Sequence, residues 1–402
     1  ATAVGDRLFE RGQLGAARQE YEHIARDHAG KSIAGEALFK AGLCRLLEGD
    51  YAAARVAFEG VARTPAEELY RNLAVLNTGA ALRLQGRYED AFRHLRDLER
   101  RSADPDERYR LAGEMQMLSH AVWTHGQAET AFRYLRFIID HFPGTEMAER
   151  SEMVLATNDS DEATRRRNLE RFLARHPRPG KNQNNAFQLL AGSCLLLGDP
   201  AGALAVFDRH IAAYRGINTR FVLSGLLGKG LVLAAMGRWT DAEAVRNDML
   251  ALLPGDPLPA RQARELDVFI VRQKGEPGRA VRILETAAAD GDIHPAEELT
   301  LALLYHERGE AARAEALWRR VAAGPPSEES KAAALFLGDQ SPDVFRSDES
   351  IIYPYRCLYL WQYHRRRGEP DDAITLEFVR QSAPFTPEVC EAILALRPPA
   401  GR

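Results

Sequence analysis

Cysteine and lysine are both scarce in this sequence of 402 residues. The four cysteines, at positions 44, 194, 357 and 390, stand far apart, and no pair has the CxxC spacing of a metal or redox motif. We therefore expect neither a disulfide framework nor a structural metal site. The 53 basic residues, nearly all arginine, are balanced by 57 acidic ones, and the net charge of -4 provides no general attraction to nucleic acid or anionic membranes.

A long apolar run is also missing. The most apolar stretch extends from Phe221 to Met236 and is interrupted by Lys229 and by glycines, whereas a membrane-spanning helix needs about 20 apolar residues. We therefore expect no membrane span. No signal peptide opens the chain, which begins at Ala1 and not at Met, as a processed form or a fragment does. The expected location is the cytoplasm, and the preference for arginine over lysine indicates a bacterial source.

Signatures of catalysis are absent too. The sequence contains no HExxH and no GxSxG motif. A segment like a phosphate-binding loop has Gly230 where Ser or Thr must follow Lys229. Histidines such as His120 and His125 are five apart, a spacing that does not bring two ligands onto one helix face. We expect no catalytic residue, no cofactor and no metal; an enzyme would instead show a pocket where ionisable groups converge.

No segment alternates apolar and polar residues with the period of two that a half-buried strand requires. One pattern recurs instead: Gly, then a polar residue, with Ala five positions after the Gly. Most neighbouring copies begin 34 to 40 residues apart, which is the period of paired-helix repeats. The Pro-rich segment 254–259 predicts a loop between two copies. The glycines that begin the copies are Gly12, Gly49, Gly86, Gly126, Gly198, Gly237, Gly275, Gly309 and Gly368.

Two further positions recur at a fixed distance from this Ala. A small residue stands twelve positions before it and a large apolar residue four positions after it, as Gly42 and Phe58 do around Ala54. Gly inside a helix costs about 1 kcal/mol relative to Ala, so its recurrence at one phase indicates close packing. We expect the small and the large residue to meet inside each helical hairpin. Three copies depart from this rule. Val268 and Trp361 replace the small residue, and Arg246 and Glu377 replace the large one; Arg246 stands where a large residue should face Gly230.

This arrangement resembles the tetratricopeptide repeat family, which has small, large and small anchors in this order. The best unit is 301–326, with Ala302, Tyr305, Ala314 and Trp318 in phase. The resemblance implies an all-α solenoid, a right-handed superhelix of about eleven helical hairpins, some of them degenerate. The expected organisation is repeats at 1–150, a degenerate repeat or joint at 151–180, repeats at 181–326, degenerate C-terminal repeats with an aromatic cap at 327–395, and a disordered tail at 396–402.

The resemblance also implies where a partner binds. In this family the first helix of each repeat lines the concave face, chiefly three residues before the small residue and one after it. Such a face suits an amphipathic helix or an extended peptide. The alternative is that the superhelix buries the apolar members of this set itself. The candidate partner-binding residues at these positions are Phe39, Leu43, Leu76, Gln116, His120 and Gln188.

The segment 351–367 is rich in aromatic residues, and Tyr355, Tyr359 and Tyr363 follow an i, i+4, i+8 spacing. A helix with this stripe can cap the last hairpin of the solenoid. It can also serve as a second partner-binding patch, because tyrosine is enriched at interaction hot spots.

The function that these patterns favour is a non-catalytic scaffold that binds a peptide or helix of another protein. The alternative is the repeat arm of a larger signalling protein, since the run 21–47 resembles the repeat region of some bacterial serine/threonine kinases. An enzyme is the third class. Neither the partner nor the oligomeric state follows from the sequence.

Overall fold

The computed structural model describes residues 2–159, 161–253, 255–342, 353–369 and 371–397, and every regular element in these ranges is helical. The chain divides into unit 1, residues 1–152, and unit 2, residues 153–402. The helices that begin in unit 1 are α1 (Ala3–Glu10), α2 (Leu14–Asp27), α3 (Ile33–Leu47), α4 (Tyr51–Val61), α5 (Glu68–Leu84), α6 (Tyr88–Glu99), α7 (Pro105–Thr124), α8 (Ala128–His141) and α9 (Glu146–Thr157), within which the boundary lies.

Unit 2 continues the same succession of helices. The segment predicted as a degenerate repeat or joint, 151–180, contains the end of α9 and all of α10. The helices of unit 2 are α10 (Glu162–Arg175), α11 (Lys181–Leu196), α12 (Pro200–Tyr214), α13 (Thr219–Ala235), α14 (Trp239–Leu252), α15 (Pro257–Gln273), α16 (Pro277–Ala289), α17 (Pro295–Glu307), α18 (Ala311–Ala322), α19 (Glu328–Leu337), α20 (Tyr353–Arg366), α21 (Asp372–Gln381) and α22 (Pro387–Leu396).

The recurring glycines are the residues that end the first helix of each pair. All nine have positive φ, between 70° and 81°, a conformation that glycine adopts without steric penalty. At Gly49 the chain turns so that the Asp50 amide donates a hydrogen bond to the Arg45 carbonyl at 2.9 Å. The Asp50 carboxylate then accepts a hydrogen bond from the Ala53 amide at 3.1 Å and caps α4. One dipeptide therefore ends one helix and begins the next.

The predicted loop at 254–259 is wrong in its second half, because α15 begins at Pro257. Proline is tolerated in the first helical turn, where its missing amide hydrogen has no partner in any case. The Asp256 carboxylate accepts a hydrogen bond from the Leu258 amide at 2.9 Å and caps the helix. Proline in this sequence thus marks helix starts, and α7, α12, α16, α17 and α22 begin in the same way.

The predicted contact between small and large residues is present inside the hairpins of unit 1. A methyl group added to Gly42 would lie 2.6 Å from the Phe58 ring, and one added to Gly79 would lie 2.5 Å from Leu95. The prediction is wrong for Gly230, whose added methyl would meet Leu266 of α15 at 2.5 Å. In its own hairpin the corresponding residue is Arg246, whose guanidinium contacts the Asp267 carboxylate at 3.1 Å. The next repeat therefore fills the space that the arginine leaves.

The last helices of unit 2 do not simply extend the row of hairpins. Helix α22 packs on α11, α13 and α15, which are the first helices of three successive repeats, and α21 packs on α11. Residues 385–393 accordingly share one hydrophobic core with α11 and α13. Of the tail predicted to be disordered, Leu396 ends α22 and residues 398–402 lie outside the described residues.

Candidate partner-binding surfaces

The candidate surface of unit 1 is its inner face, which we define by the first helices α3, α5 and α7. These helices pack on their hairpin partners, α5 packs on α3 and α7 packs on α5. Of the residues predicted to line this face, Leu43 and Leu76 are half-buried, Gln116 is half-buried and His120 is exposed. Side chains at these positions are therefore accessible to a partner in unit 1.

Phe39 has a different environment from the other predicted residues. Its side chain is 6% exposed, and its ring lies 5.7 Å from that of Phe58 and 5.8 Å from that of Tyr70. These contacts place Phe39 in the hydrophobic core between α3, α4 and α5. Phe39 therefore follows the alternative prediction, in which the repeats themselves bury the apolar residues of this set.

The side-chain amide of Gln116 contains an unsatisfied hydrogen-bond donor. Its side-chain amide nitrogen is buried and, within the described residues, has no hydrogen-bond acceptor. Leaving a buried donor unsatisfied costs about 1–3 kcal/mol. Met117 beside it is 51% exposed and lies on the same helical stripe as His120, because residues three and four apart share a face. This stripe combines a half-buried amide side chain with an accessible apolar side chain.

A polar cluster occupies the inner side of the first two repeats. The Lys40 ammonium donates to the carboxylates of Asp6 at 2.9 Å and Glu36 at 2.7 Å. The Tyr21 hydroxyl donates to Asp6 at 2.8 Å, and the Thr2 hydroxyl donates to Glu36 at 3.2 Å. Each charged group of the cluster thus has a partner within it, so we expect the cluster to join α1 and α3 and not to bind a ligand.

The equivalent surface of unit 2 is covered by the end of the chain. Gln188 of α11 occupies the same repeat position as Gln116, but its side chain is only 1% exposed. Its side-chain oxygen accepts a hydrogen bond from the backbone amide of Phe385 at 2.6 Å. The Phe385 ring lies 5.5 Å from Phe207 in an edge-on arrangement. The segment 382–386, between α21 and α22, therefore lies on α11 in the way that a bound peptide does.

Polar contacts hold this C-terminal segment at both ends. Near α21, the Arg380 guanidinium contacts Glu162 at 3.1 Å, and the Arg380 carbonyl accepts a hydrogen bond from Arg165 at 2.8 Å. Arg165 is 1% exposed, and burial lowers its pKa although Glu162 raises it. In α22, Glu391 accepts hydrogen bonds from Arg272 and, at 2.6 Å, from Arg365. Removing one partner of a buried ion pair is strongly destabilising. These contacts therefore hold the C-terminal segment in place.

The aromatic stripe of α20 does not face one direction. Tyr359 is 3% exposed and belongs to the core formed with α17 and α19, whereas Tyr355 is 42% exposed. Tyr363 is half-buried against the same core. The Tyr355 and Tyr359 rings are 6.1 Å apart. Each step of four residues exceeds a whole turn of the helix by about 40°, so the three rings drift around the helix.

Comparison with known proteins bears on the repeats directly. A family model described as tetratricopeptide repeat matches residues 3–68. Residues 3–68 are similar to tetratricopeptide repeats. The matched residues span α1 to α4 and the first residue of α5, so the match contains one helix of the inner face of unit 1, α3.

Solved structures with a related arrangement of helices include a tetratricopeptide repeat protein from Parabacteroides merdae. It is 14% identical, with 74% of this chain and 96% of that chain covered and a TM-score of 0.37. Yeast Tom70 is 11% identical, with 98% and 87% covered and a TM-score of 0.41. At these TM-scores neither likeness carries an argument about function. No curated protein matches the chain.

None of the described helices combines the length and the apolar composition that crossing a membrane demands. The cysteines Cys44, Cys194, Cys357 and Cys390 are all buried and form no disulfide with one another.

Proposed function

We propose that this protein is a non-catalytic interaction module whose unit 1 binds a segment of a partner protein on the inner face of α3, α5 and α7. Tetratricopeptide repeats support a role in protein interaction in general. The observation that supports this particular face is the contrast between Gln116 and Gln188, which share a repeat position. Gln188 is 1% exposed beneath the C-terminal segment, and its oxygen accepts a hydrogen bond from the Phe385 amide. Gln116, by contrast, is half-buried, and Met117 beside it is 51% exposed.

The C-terminal segment of unit 2 indicates what kind of partner segment fits. It consists of an extended stretch, 382–386, followed by the helix α22, whose apolar residues enter the core. On unit 1, the half-buried side chain of Gln116 would accept a hydrogen bond from a backbone amide of the partner, as Gln188 does from Phe385. Apolar side chains of the partner would cover Leu76 and Met117, and each well-buried one stabilises a complex by roughly 1.5–3 kcal/mol. The ligand class is therefore an extended peptide or an amphipathic helix.

We also propose a cytoplasmic location and a bacterial source. The four buried thiols are compatible with a reducing compartment, and the scarcity of lysine supports the bacterial assignment.

Site-specific photocrosslinking tests the proposed face. A photoreactive phenylalanine analogue placed at Met117 should capture a protein partner in extracts of the source cells, because this side chain is 51% exposed on the inner face. The matched control is Val56 of α4, which is 55% exposed on a second helix of a hairpin. Crosslinking at Val56 with none at Met117 would move the site to the other side of unit 1.

Affinity for the captured partner then tests the residues. The double variant Gln116→Ala, His120→Ala should bind about tenfold more weakly, because one hydrogen bond and one polar contact are lost. The variant should keep the wild-type melting temperature, because His120 is exposed and the buried nitrogen that Gln116 loses has no acceptor within the described residues. Unchanged affinity in a folded double variant would refute the proposal for α7.

A further inference from the structure

Unit 2 contains a cavity of about 320 Å³ between α15, α17, α20 and α22. This volume is at the lower end of the range of small-ligand pockets, about 300–1,000 Å³. Phe269, Leu303 and Trp361 form apolar parts of its wall, and Glu265, Gln362 and Glu388 contribute oxygen atoms. The inference developed from this cavity does not depend on the proposed function of unit 1.

Most charged groups around the cavity are already paired. Arg272 contacts Glu391 and also Glu307 at 3.3 Å, and Arg365 contacts Glu391 at 2.6 Å. On the other side, Glu297 accepts a hydrogen bond from Arg264 at 2.7 Å. These pairs close the wall of the cavity and leave their members without unmatched charge.

Two carboxyl groups are exceptions. The nearest cation to Glu265 is Arg261, at 3.7 Å and outside hydrogen-bond distance. Glu388 makes a hydrogen bond with the Thr386 side chain and, within the described residues, has no ion pair. Burial, and next the charge of Glu388, raise the pKa of Glu265 to about 8. Burial likewise raises the pKa of Glu388. Glu388 therefore has no ion pair within the described residues, and Glu265 has only the longer contact with Arg261.

Uncharged oxygens nearby lack donors as well. The side-chain oxygen of Gln362 is buried and has no hydrogen-bond donor within the described residues, and the same is true of Gln262. Both glutamines line a hollow that adjoins the cavity and shares Glu265 and Glu388 with it. Buried acceptors without donors are uncommon in folded proteins. Glu265, Gln362 and Glu388 line the cavity itself, whereas Gln262 lines only the adjoining hollow. A ligand that complements the residues of the cavity carries hydrogen-bond donors and positive charge.

We propose that this cavity binds an organic cation, a primary ammonium or guanidinium group on an alkyl stem. Glu265 and Glu388 accept hydrogen bonds from the cation, and Gln362 adds a neutral acceptor. The alkyl stem lies against Phe269, Leu303 and Trp361, where its transfer from water is favourable. A free amine and a lysine or arginine side chain of a protein share this chemistry.

Binding of such a cation is coupled to a proton. With its pKa raised to about 8, Glu265 holds a proton in the empty cavity at pH 7, and a cation must displace it. Affinity should therefore rise as the pH increases from 7 to 9. Other charged or titratable groups facing this space are Arg261, Arg264 and Arg272 on α15, Glu297, His306 and Glu307 on α17, Arg365 and Arg366 on α20, and Glu388 and Glu391 on α22.

Isothermal titration calorimetry of the full chain tests the proposal with pentylammonium chloride and, as the neutral counterpart, 1-pentanol. Pentylammonium should bind at least about tenfold more tightly than pentanol, because charge-assisted hydrogen bonds are strong. Glu265→Gln and Glu388→Gln should each weaken pentylammonium binding about tenfold, and Glu315→Gln on the exposed face of α18 should leave it unchanged. Equal binding of the two probes, or unchanged binding to Glu265→Gln, would overturn the proposal.

Two further measurements distinguish the sources and guard against misfolding. A tripeptide with a central lysine, compared with the same peptide containing glutamine, shows whether a protein side chain enters the cavity; preference for pentylammonium over the lysine peptide assigns the site to free amines. Titrations in two buffers of different ionisation enthalpy measure the protons that are released when pentylammonium binds. At pH 7 the wild type should release protons, and Glu265→Gln should not. If that variant does not fold, Gln362→Leu provides the second test, and it should bind pentylammonium several-fold more weakly.

Discussion

The inner faces of the two units are built from first helices of the same kind of repeat, yet their exposure differs. In unit 2, α22 and the segment before it lie on α11, α13 and α15, and Gln188 is 1% exposed. In unit 1, Met117 on the corresponding side of α7 is 51% exposed. The repeat position of a residue therefore identifies the face on which it lies, but not whether that face is free for a partner.

This contrast also separates two uses of one surface. Where the chain supplies its own segment, the surface becomes part of the core and contributes to stability. Where no such segment lies on it, the same residue types remain available for binding. Two pairs of substitutions test this distinction by comparing unit 2 with unit 1, and a substitution of His210 tests the packing on α11 through its pH dependence.

The largest effect is expected at Phe385, which is 1% exposed and packs on Phe207. Phe385→Ala should lower the free energy of unfolding by about 3–5 kcal/mol, because it removes a buried ring and leaves a cavity. Met117→Ala in unit 1 should change it by less than about 0.5 kcal/mol. Chemical denaturation followed by circular dichroism measures both values. Similar values for the two variants would mean that the C-terminal segment is not part of the core of unit 2.

A pH-dependent effect is expected at His210, whose Nε2 lies 3.0 Å from the Asn184 side chain of α11. Burial lowers its pKa from 6.5 to about 4, so between these values the unfolded chain holds a proton that the folded chain does not. Stability from this group is present above pH 6.5 and is lost as the pH falls towards 4, by roughly 3 kcal/mol. Glu265, with its raised pKa, has the opposite sign.

Comparison with His210→Gln removes the contribution of Glu265, which is common to both proteins. The wild type should lose its advantage over this variant as the pH is lowered from 7 to 4, as measured by urea unfolding at several pH values. A constant difference between the two proteins over this range would show that His210 does not stay neutral in the folded state.

The smallest effect distinguishes the two glutamines. Gln188→Ala leaves the buried amide of Phe385 without its acceptor and should lower the free energy of unfolding by about 1–3 kcal/mol. Gln116→Ala removes a donor that has no acceptor within the described residues, so its effect should stay within about 0.5 kcal/mol. Denaturation curves of the two single variants provide the measurement. Equal losses would remove the basis for treating the two faces differently.

Much of the fold could be predicted because its determinants are local. A glycine with positive φ and a small residue one helix away from a large one act within a single hairpin, and both recur with the repeat. The prediction failed at Gly230 because Arg246 removed the local partner, and Leu266 of the next repeat took its place. Because the contact of Gly230 is made outside its own hairpin, the repeat period does not predict the residue that fills this space.

The candidate sites were predictable only in part. The phase of the repeat identified Gln116 and His120 as residues of an inner face, but also Phe39, which the core between α3 and α5 absorbs. The cavity of unit 2 was not predicted at all. Glu265, Gln362 and Glu388 come from three helices far apart in the chain, and nothing in their local sequence distinguishes them from surface residues.

The sequence by itself determined the helices, their ends and the packing inside most hairpins, because these depend on residues within one or two turns of each other. Only the tertiary structure decided which inner face is covered, since this depends on where α22 settles among several chemically similar first helices. It also decided the charge state of Glu265, because a raised pKa requires burial and a neighbouring carboxyl group that only the return of the chain supplies.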